Sequence, residues 1–209
     1  MTKLIINTGS SGSSIVRKDG NQMSGKEWID YQLSQGEYIS GKGVVDFIKQ
    51  TLTGEIVGCE VGVCLGPTSK YLMENLKNVK KLYCVDSYPE YVDWNGIIMN
   101  REKQDAMKQF AYDNLKDHHD RIEFVYDLSS NFAKTMSENS LDFVFVDADH
   151  SYKGALDDFK AYFPLVKKGG VFAGHDFSLA EVNKALSEFL GERFSEVQLT
   201  INNAWYMIK

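Results

Sequence analysis

The sequence predicts an α/β fold built in three layers: a mostly parallel sheet of seven strands, helices on both faces, and a C-terminal antiparallel hairpin. Three observations predict it. From Glu55 onward, apolar runs at 56–61, 82–85, 122–126, 141–146 and 170–174 alternate with helical patterns. Strands separated in this way by helices form parallel sheets with right-handed crossovers. The first run ends in an acidic residue and a glycine-bearing turn, as in open sheets that bind a ligand at a strand's carboxyl end. Finally, FSEVQLT and AWYMIK are strand-like runs separated by Asn202 and Asn203, which suits a tight antiparallel hairpin.

The chain of 209 residues has one domain's length. Its 43% hydrophobic and 25% charged residues are ordinary for a globular protein. A net charge of −6 argues against an extended phosphate-binding surface, so nucleic acid is not an expected partner. The three cysteines are odd in number, and Cys59 and Cys84 fall inside predicted strands, which reads as reduced core thiols. No apolar stretch approaches membrane-spanning length, and Leu4 to Ile6 is too short for a signal-peptide core. The expectation is a cytoplasmic protein without a membrane partner; oligomeric state is not legible.

Asn7 to Ser14 is rich in Gly and Ser and reads as a flexible arm. Ser24 and Glu27 form a capping box ahead of EWIDYQLS, and GVVDFIKQTL carries a second helical pattern. Residues 1–54 are therefore expected to form an arm and helical cover, and 55–209 the core.

The turn EIVGCEVGVCLGPTS spaces Glu60, Gly62 and Gly66 as E-x-G-x-x-x-G, with Cys64 where a dinucleotide fingerprint would carry its middle glycine. Glycine lets a ligand approach the backbone, and the helix that follows points its N-terminus at the same place. The next apolar run ends in Asp86, twenty positions beyond Gly66, where a carboxylate can accept ribose hydroxyls. At this point the sequence resembles the class I S-adenosylmethionine-dependent methyltransferases, in particular the metal-assisted small-molecule and sugar O-methyltransferases related to the catechol type. The resemblance covers about residues 54–209 and implies a Rossmann-like three-layer sandwich. It also implies that Glu60 lies near the cofactor's amino-acid part, that Asp86 holds the ribose, and that Asp127, Leu128 and Ser129 approach the adenine.

The strongest motif is LDFVFVDADHSYKGALDDFKAYFPLVKKGGVFAGHDF, in which two adjacent strands end at Asp147, Asp149 and His150, and at His175 and Asp176. Clustered carboxylates repel one another unless a cation joins them, so a divalent metal resolves the conflict. The resemblance implies Asp147 as one metal ligand. Alignment on an acidic pair makes His175 and Asp176 the others, whereas alignment on the catechol type matches Asp176 alone and puts Phe177 at an Asn position. An imidazole ligand shifts the preference from magnesium toward manganese or other transition metals. For the general base the resemblance points to His150, with Asp149 as the other choice; histidine titrates near neutrality. Tyr88, Tyr91 and Trp94 form a candidate aromatic wall. Lys153 is a second polar group over the substrate or a solvated lysine; His118 and His119 receive no role.

The expected activity is methyl transfer from S-adenosyl-L-methionine to a small-molecule hydroxyl, a sugar among the candidates, with magnesium or manganese assisting. Two alternatives stand beside it. Asp147 and Asp149 spell a D-x-D that could serve a metal-dependent glycosyltransferase, and a retained fold could bind S-adenosylmethionine without catalysis.

Overall fold

In the computed structural model, which describes residues 20–36, 38–93 and 96–209, the alternation after Glu55 becomes a doubly wound sheet. The elements run α1 (Gly25–Ser34), α2 (Lys42–Thr51), β1 (Ile56–Val61), α3 (Pro67–Asn75), β2 (Val79–Val85), β3 (Tyr91–Val92), β4 (Ile98–Met99), α4 (Arg101–Asn114), β5 (Ile122–Val125), α5 (Ser129–Ala133), β6 (Leu141–Val146), α6 (Tyr152–Tyr162), β7 (Val166–Gly174), α7 (Ala180–Leu190), β8 (Gln198–Leu199) and β9 (Trp205–Ile208). The arm expected at Asn7 to Ser14 lies outside the described residues.

Among the described residues, seven strands form one sheet in the order β5-β2-β1-β6-β7-β9-β8. The pairs β1/β2, β2/β5, β1/β6 and β6/β7 are parallel; β9 runs antiparallel to both β7 and β8. The chain winds outward from β1 to β5 on one side, then returns to β6 on the other. The order thus reverses between β1 and β6, and the carboxyl ends there open a crevice.

Compact packing divides the chain into residues 37–87 with 111–209, which carry the sheet, and 88–110 with the N-terminal residues up to 36. This division crosses the boundary expected at residue 54: α2 belongs with the sheet, burying Val44, Val45 and Ile48, and α1 belongs to the other unit. In that other unit the capping box of Ser24 and Glu27 starts α1, and Glu102 Oε1 accepts from Gly25 N–H at 3.2 Å. The short ribbon of β3 and β4 in the same unit was not expected, because two residues per strand carry no alternation to read.

The hairpin is looser than its Asn-Asn sequence suggests. Leu199 pairs with Trp205, so five residues form the connection, and Asn202 (φ 61°) and Asn203 (φ 62°) both take the left-handed conformation. Asn tolerates that region because its short polar side chain can bond locally. Trp205 anchors β9 in the core, fully buried against Phe159 and Phe172 at ring-centroid distances of 5.5 and 5.3 Å. A ring buried to that degree contributes about 3 kcal/mol. Its indole N–H donates to His175 O at 3.1 Å, so the core fixes the backbone where β7 ends.

Candidate functional site

The glycine turn is held by its own neighbours. Gly62 has φ +89°, and a Cβ there would lie 1.9 Å from the Asp147 carbonyl oxygen, so only glycine fits where the ends of β1 and β6 meet. Asp147 N–H donates to Val61 O at 2.8 Å, and Gly62 N–H to Val85 O at 2.8 Å, which ties three strand ends together. Past Gly62, the N–H groups of Val63 and Cys64 both donate to Asp86 Oδ2 at 2.9 Å. Asp86, read from the sequence as a ribose acceptor, therefore also shapes the turn. Gly66, at φ +78°, opens α3 with Pro67 behind it.

Glu60 is turned into the core, 2% exposed, and accepts a hydrogen bond from Ser69 Oγ. Burial pushes its carboxyl up to about 8 against the opposing bond from Ser69. It supports the turn from beneath. Asp127 Oδ1 accepts from Asn131 Nδ2 at 3.0 Å and Leu128 N–H at 2.7 Å, and these bonds hold its carboxyl below the usual range. Leu128 is exposed. Ser129 is engaged with α6: its hydroxyl donates to Asp158 and its carbonyl accepts from Tyr162 Oη at 2.9 Å.

The ends of β6 and β7 bring Asp147, His175 and Asp176 together, with one ligand atom of each within 4.8 Å of the others. His175 Nδ1 lies 3.5 Å from Asp147 Oδ1 and 3.2 Å from Asp176 Oδ1. His150 joins them, with Nε2 at 2.8 Å from Asp176 Oδ2 and 3.5 Å from Asp147 Oδ1. Burial opposes the charge on Asp147 and on Asp176, yet the bonds to the two imidazoles win and hold both carboxyls below the usual range. The converse holds for the histidines. Asp147 and Asp176 raise His150 to about 9. Burial works against charge on His175, but the same carboxylates raise it to about 11.

Asp149 stands apart from this cluster. Its Oδ1 accepts from Ser151 N–H at 2.8 Å, so it organises the start of α6. Lys153 pairs with Asp157 on the exposed face of the same helix. Tyr88 is buried, Tyr91 is exposed on β3, and Trp94 lies outside the described residues. His119 Nε2 sits 2.9 Å from Tyr112 O, away from the cluster. Cys59 and Cys84 are buried, and Cys64 is exposed in the turn at φ 53°.

Three residues of the site escaped the sequence reading. Ser40, whose hydroxyl pairs with Thr68 Oγ1 at 3.0 Å, helps to hold the Asp147 carboxyl low. Tyr38 Oη donates to Asn202 O at 2.8 Å and sits 3.0 Å from His175 Nε2. Neither Tyr38 nor Ser40 lies in a motif. Asn202 gave a signal only as a turn residue.

The donor set of two carboxylates and one imidazole, from adjacent strand ends, fits a divalent cation with mixed oxygen and nitrogen preference. In the turn the missing side chains make room for the protein itself, a Cβ at Gly62 meeting the Asp147 carbonyl and one at Gly66 the Leu115 side chain. Asp86, on the N–H groups of Val63 and Cys64, is the acidic group beside the turn that suits ribose hydroxyls.

Comparison with known proteins bears on the fold and the family. The chain is 22% identical over 157 residues to the uncharacterized protein R132 of Acanthamoeba polyphaga mimivirus, a match covering 68% of this chain and 64% of that relative's length. Among solved structures, a Corynebacterium glutamicum protein superposes with TM-score 0.60 at 14% identity, over 97% of this chain and 92% of that one. An rRNA methylase from Streptococcus thermophilus gives 0.55 at 16%, over 79% and 93%. CalS11, a TDP-rhamnose 3'-O-methyltransferase of calicheamicin biosynthesis, gives 0.55 at 16%, over 79% and 77%. At these identities the structures speak for the fold alone. Residues 59–177, more than half of the chain, match the family described as a methyltransferase domain, and the chain belongs to that family.

Proposed function

We propose that this chain binds S-adenosylmethionine at the turn between β1 and α3 and transfers its methyl group to a hydroxyl of a small molecule, a sugar among the candidates. The observation that carries the reading is the meeting of two sites at the switch in strand order. Gly62, in the cofactor turn, packs directly on the Asp147 backbone, and Asp147 leads into the acid and histidine cluster. The fold shared with a sugar O-methyltransferase supports a hydroxyl acceptor. The fold is shared equally with an rRNA methylase, but the net charge of −6 favours a small acceptor over RNA.

In the reaction the acceptor oxygen attacks the sulfonium methyl carbon; the O–C bond forms as the C–S bond breaks, and S-adenosylhomocysteine leaves. Alignment of oxygen, carbon and sulfur supplies most of the acceleration. Asp147, His175 and Asp176 would hold magnesium or manganese, which supplies a Lewis acid that lowers the acceptor hydroxyl's pKa. His150 is the proposed acceptor of the hydroxyl proton. With Asp147 and Asp176 both bonded to it, His150 keeps its own proton at neutral pH. It becomes a base only when those carboxylates direct their charge elsewhere. Asp149, bonded at the start of α6, positions the loop that carries His150.

The D-x-D reading loses support from the same geometry, because Asp149 bonds to Ser151 while Asp147 bonds into the cluster. Calorimetric titration of the chelator-treated protein with S-adenosylhomocysteine tests the proposal. Binding that persists in Asp147→Ala, with methyl transfer to hydroxyl acceptors lost, is the expected result. Failure to bind, or unchanged turnover in Asp147→Ala, would overturn the cofactor or the cluster assignment respectively. Binding with no transfer to any acceptor would support a non-catalytic S-adenosylmethionine-binding protein.

A further inference from the structure

The far side of His175 is as constrained as the side that faces the carboxylates. His175 Nε2 lies 2.6 Å from the Asn202 carbonyl oxygen. A carbonyl oxygen cannot donate, so contact at that distance requires the proton to sit on Nε2. Tyr38 cannot supply that proton, since its hydroxyl donates to the same carbonyl at 2.8 Å; at 3.0 Å from Nε2, its oxygen shares the imidazole N–H. The carbonyl's two lone pairs serve both donors.

These groups come from distant parts of the chain and are tied to each other. Asn202 Nδ2 donates to Ile39 O at 2.9 Å, next to Tyr38. Asn202 itself holds φ 61°, which aims its backbone into the site from the hairpin connection. His175 is anchored at its backbone by N–H donation to Val146 O at 3.1 Å and by Trp205 Nε1 on its carbonyl. The ring therefore cannot flip without breaking bonds on both sides.

We infer that Tyr38 and the Asn202 carbonyl are positioning groups for His175: they fix the proton on Nε2 and present Nδ1 to the space between Asp147 and Asp176. The inference rests on the proposed cation site in its consequence, since a ligating imidazole needs its other nitrogen protonated and held. The proton on Nε2 does not depend on that site. The Tyr38 ring, exposed on its outer side, stands edge-on to the imidazole, 5.8 Å between centroids.

Long-range proton–nitrogen NMR of the full chain, with His175 assigned by comparison with His175→Gln, provides the test. Nε2 should show a protonated-nitrogen shift both with and without magnesium, whatever Nδ1 does. An unprotonated Nε2 in either condition would sink the inference. In Tyr38→Phe the Nε2 proton should exchange faster with water, and Mn²⁺ followed by electron paramagnetic resonance should bind about tenfold more weakly, while S-adenosylhomocysteine affinity is unchanged. Unaltered proton exchange in Tyr38→Phe would remove Tyr38 from the arrangement. Failure of the cation reading is separately visible as an Nδ1 shift that does not respond to magnesium in the wild-type protein.

Discussion

Glu60 is a carboxyl group placed where a charge is hard to keep. It lies in β1 beneath the glycine turn, buried on a sheet covered on both faces, with one hydrogen bond from Ser69. Desolvation dominates, and the folded-state value rises to about 8 from the ordinary 4.5. The sign of the effect on stability follows. Between those values the folded protein holds a proton that the unfolded chain releases, so Glu60's contribution is fully present below about 4.5 and is lost as pH rises through about 8. Glu60→Gln keeps the shape without the ionisation. Urea unfolding across this window should show wild-type stability declining relative to Glu60→Gln by a few kcal/mol; parallel curves would mean that Glu60 ionises freely in the folded protein. The type of this residue was legible as the end of an apolar run. Its inward direction was not, because alternation is lost in a strand buried on both faces.

At the scale of elements, α6 matters most to the site, because its start carries the loop that follows Asp147. Ser151 is its N-cap and accepts from Gly154 N–H at 3.1 Å, while Asp149 accepts from Ser151 N–H. Ser151→Ala should lower stability by about 1 kcal/mol, measured as a shift in urea midpoint at constant slope. A change below a few tenths of that value would show that Asp149 alone holds the helix start. The strands that flank this helix were readable because four apolar residues run straight into Asp147 and because Gly169 and Gly170 mark the entry to the next strand. Even so, β7 begins at Val166 rather than Gly170, and β2 at Val79 rather than Leu82. Lys167, Lys168, Lys80 and Lys81 hide those strand starts from an apolar-run reading, though an extended backbone accepts lysines wherever one side meets solvent. The Asp147, His175 and Asp176 cluster was legible since all three are strand ends. Tyr38 and Asn202 were not, because only the tertiary fold brings residue 38 and the hairpin connection to the imidazole.

Over the whole molecule, the chain's two compact units divide the labour unequally. Every residue assigned to the cofactor turn and the acid and histidine cluster falls in the unit of residues 37–87 and 111–209. A ligand that binds only the folded state of that unit stabilises it by an amount set by its concentration relative to its dissociation constant, about 2.7 kcal/mol at a hundredfold excess. For a chain of this length that amounts to roughly 5–11 °C in unfolding temperature. Calorimetric melting should therefore show S-adenosylhomocysteine raising the transition that belongs to the sheet, and a second transition, if the other unit melts by itself, staying where it was. The proposed cofactor turn, with Gly62, Gly66 and Asp86, contributes none of the cluster's three candidate metal ligands, so the shift should persist in chelator. Manganese should add an increment that disappears in Asp176→Ala, because that substitution removes one of the cluster's two carboxylate donors. If the nucleoside produces no shift, the turn is not a cofactor site; if manganese stabilises Asp176→Ala as well as wild type, the cation binds elsewhere and the carboxylates serve only their histidines.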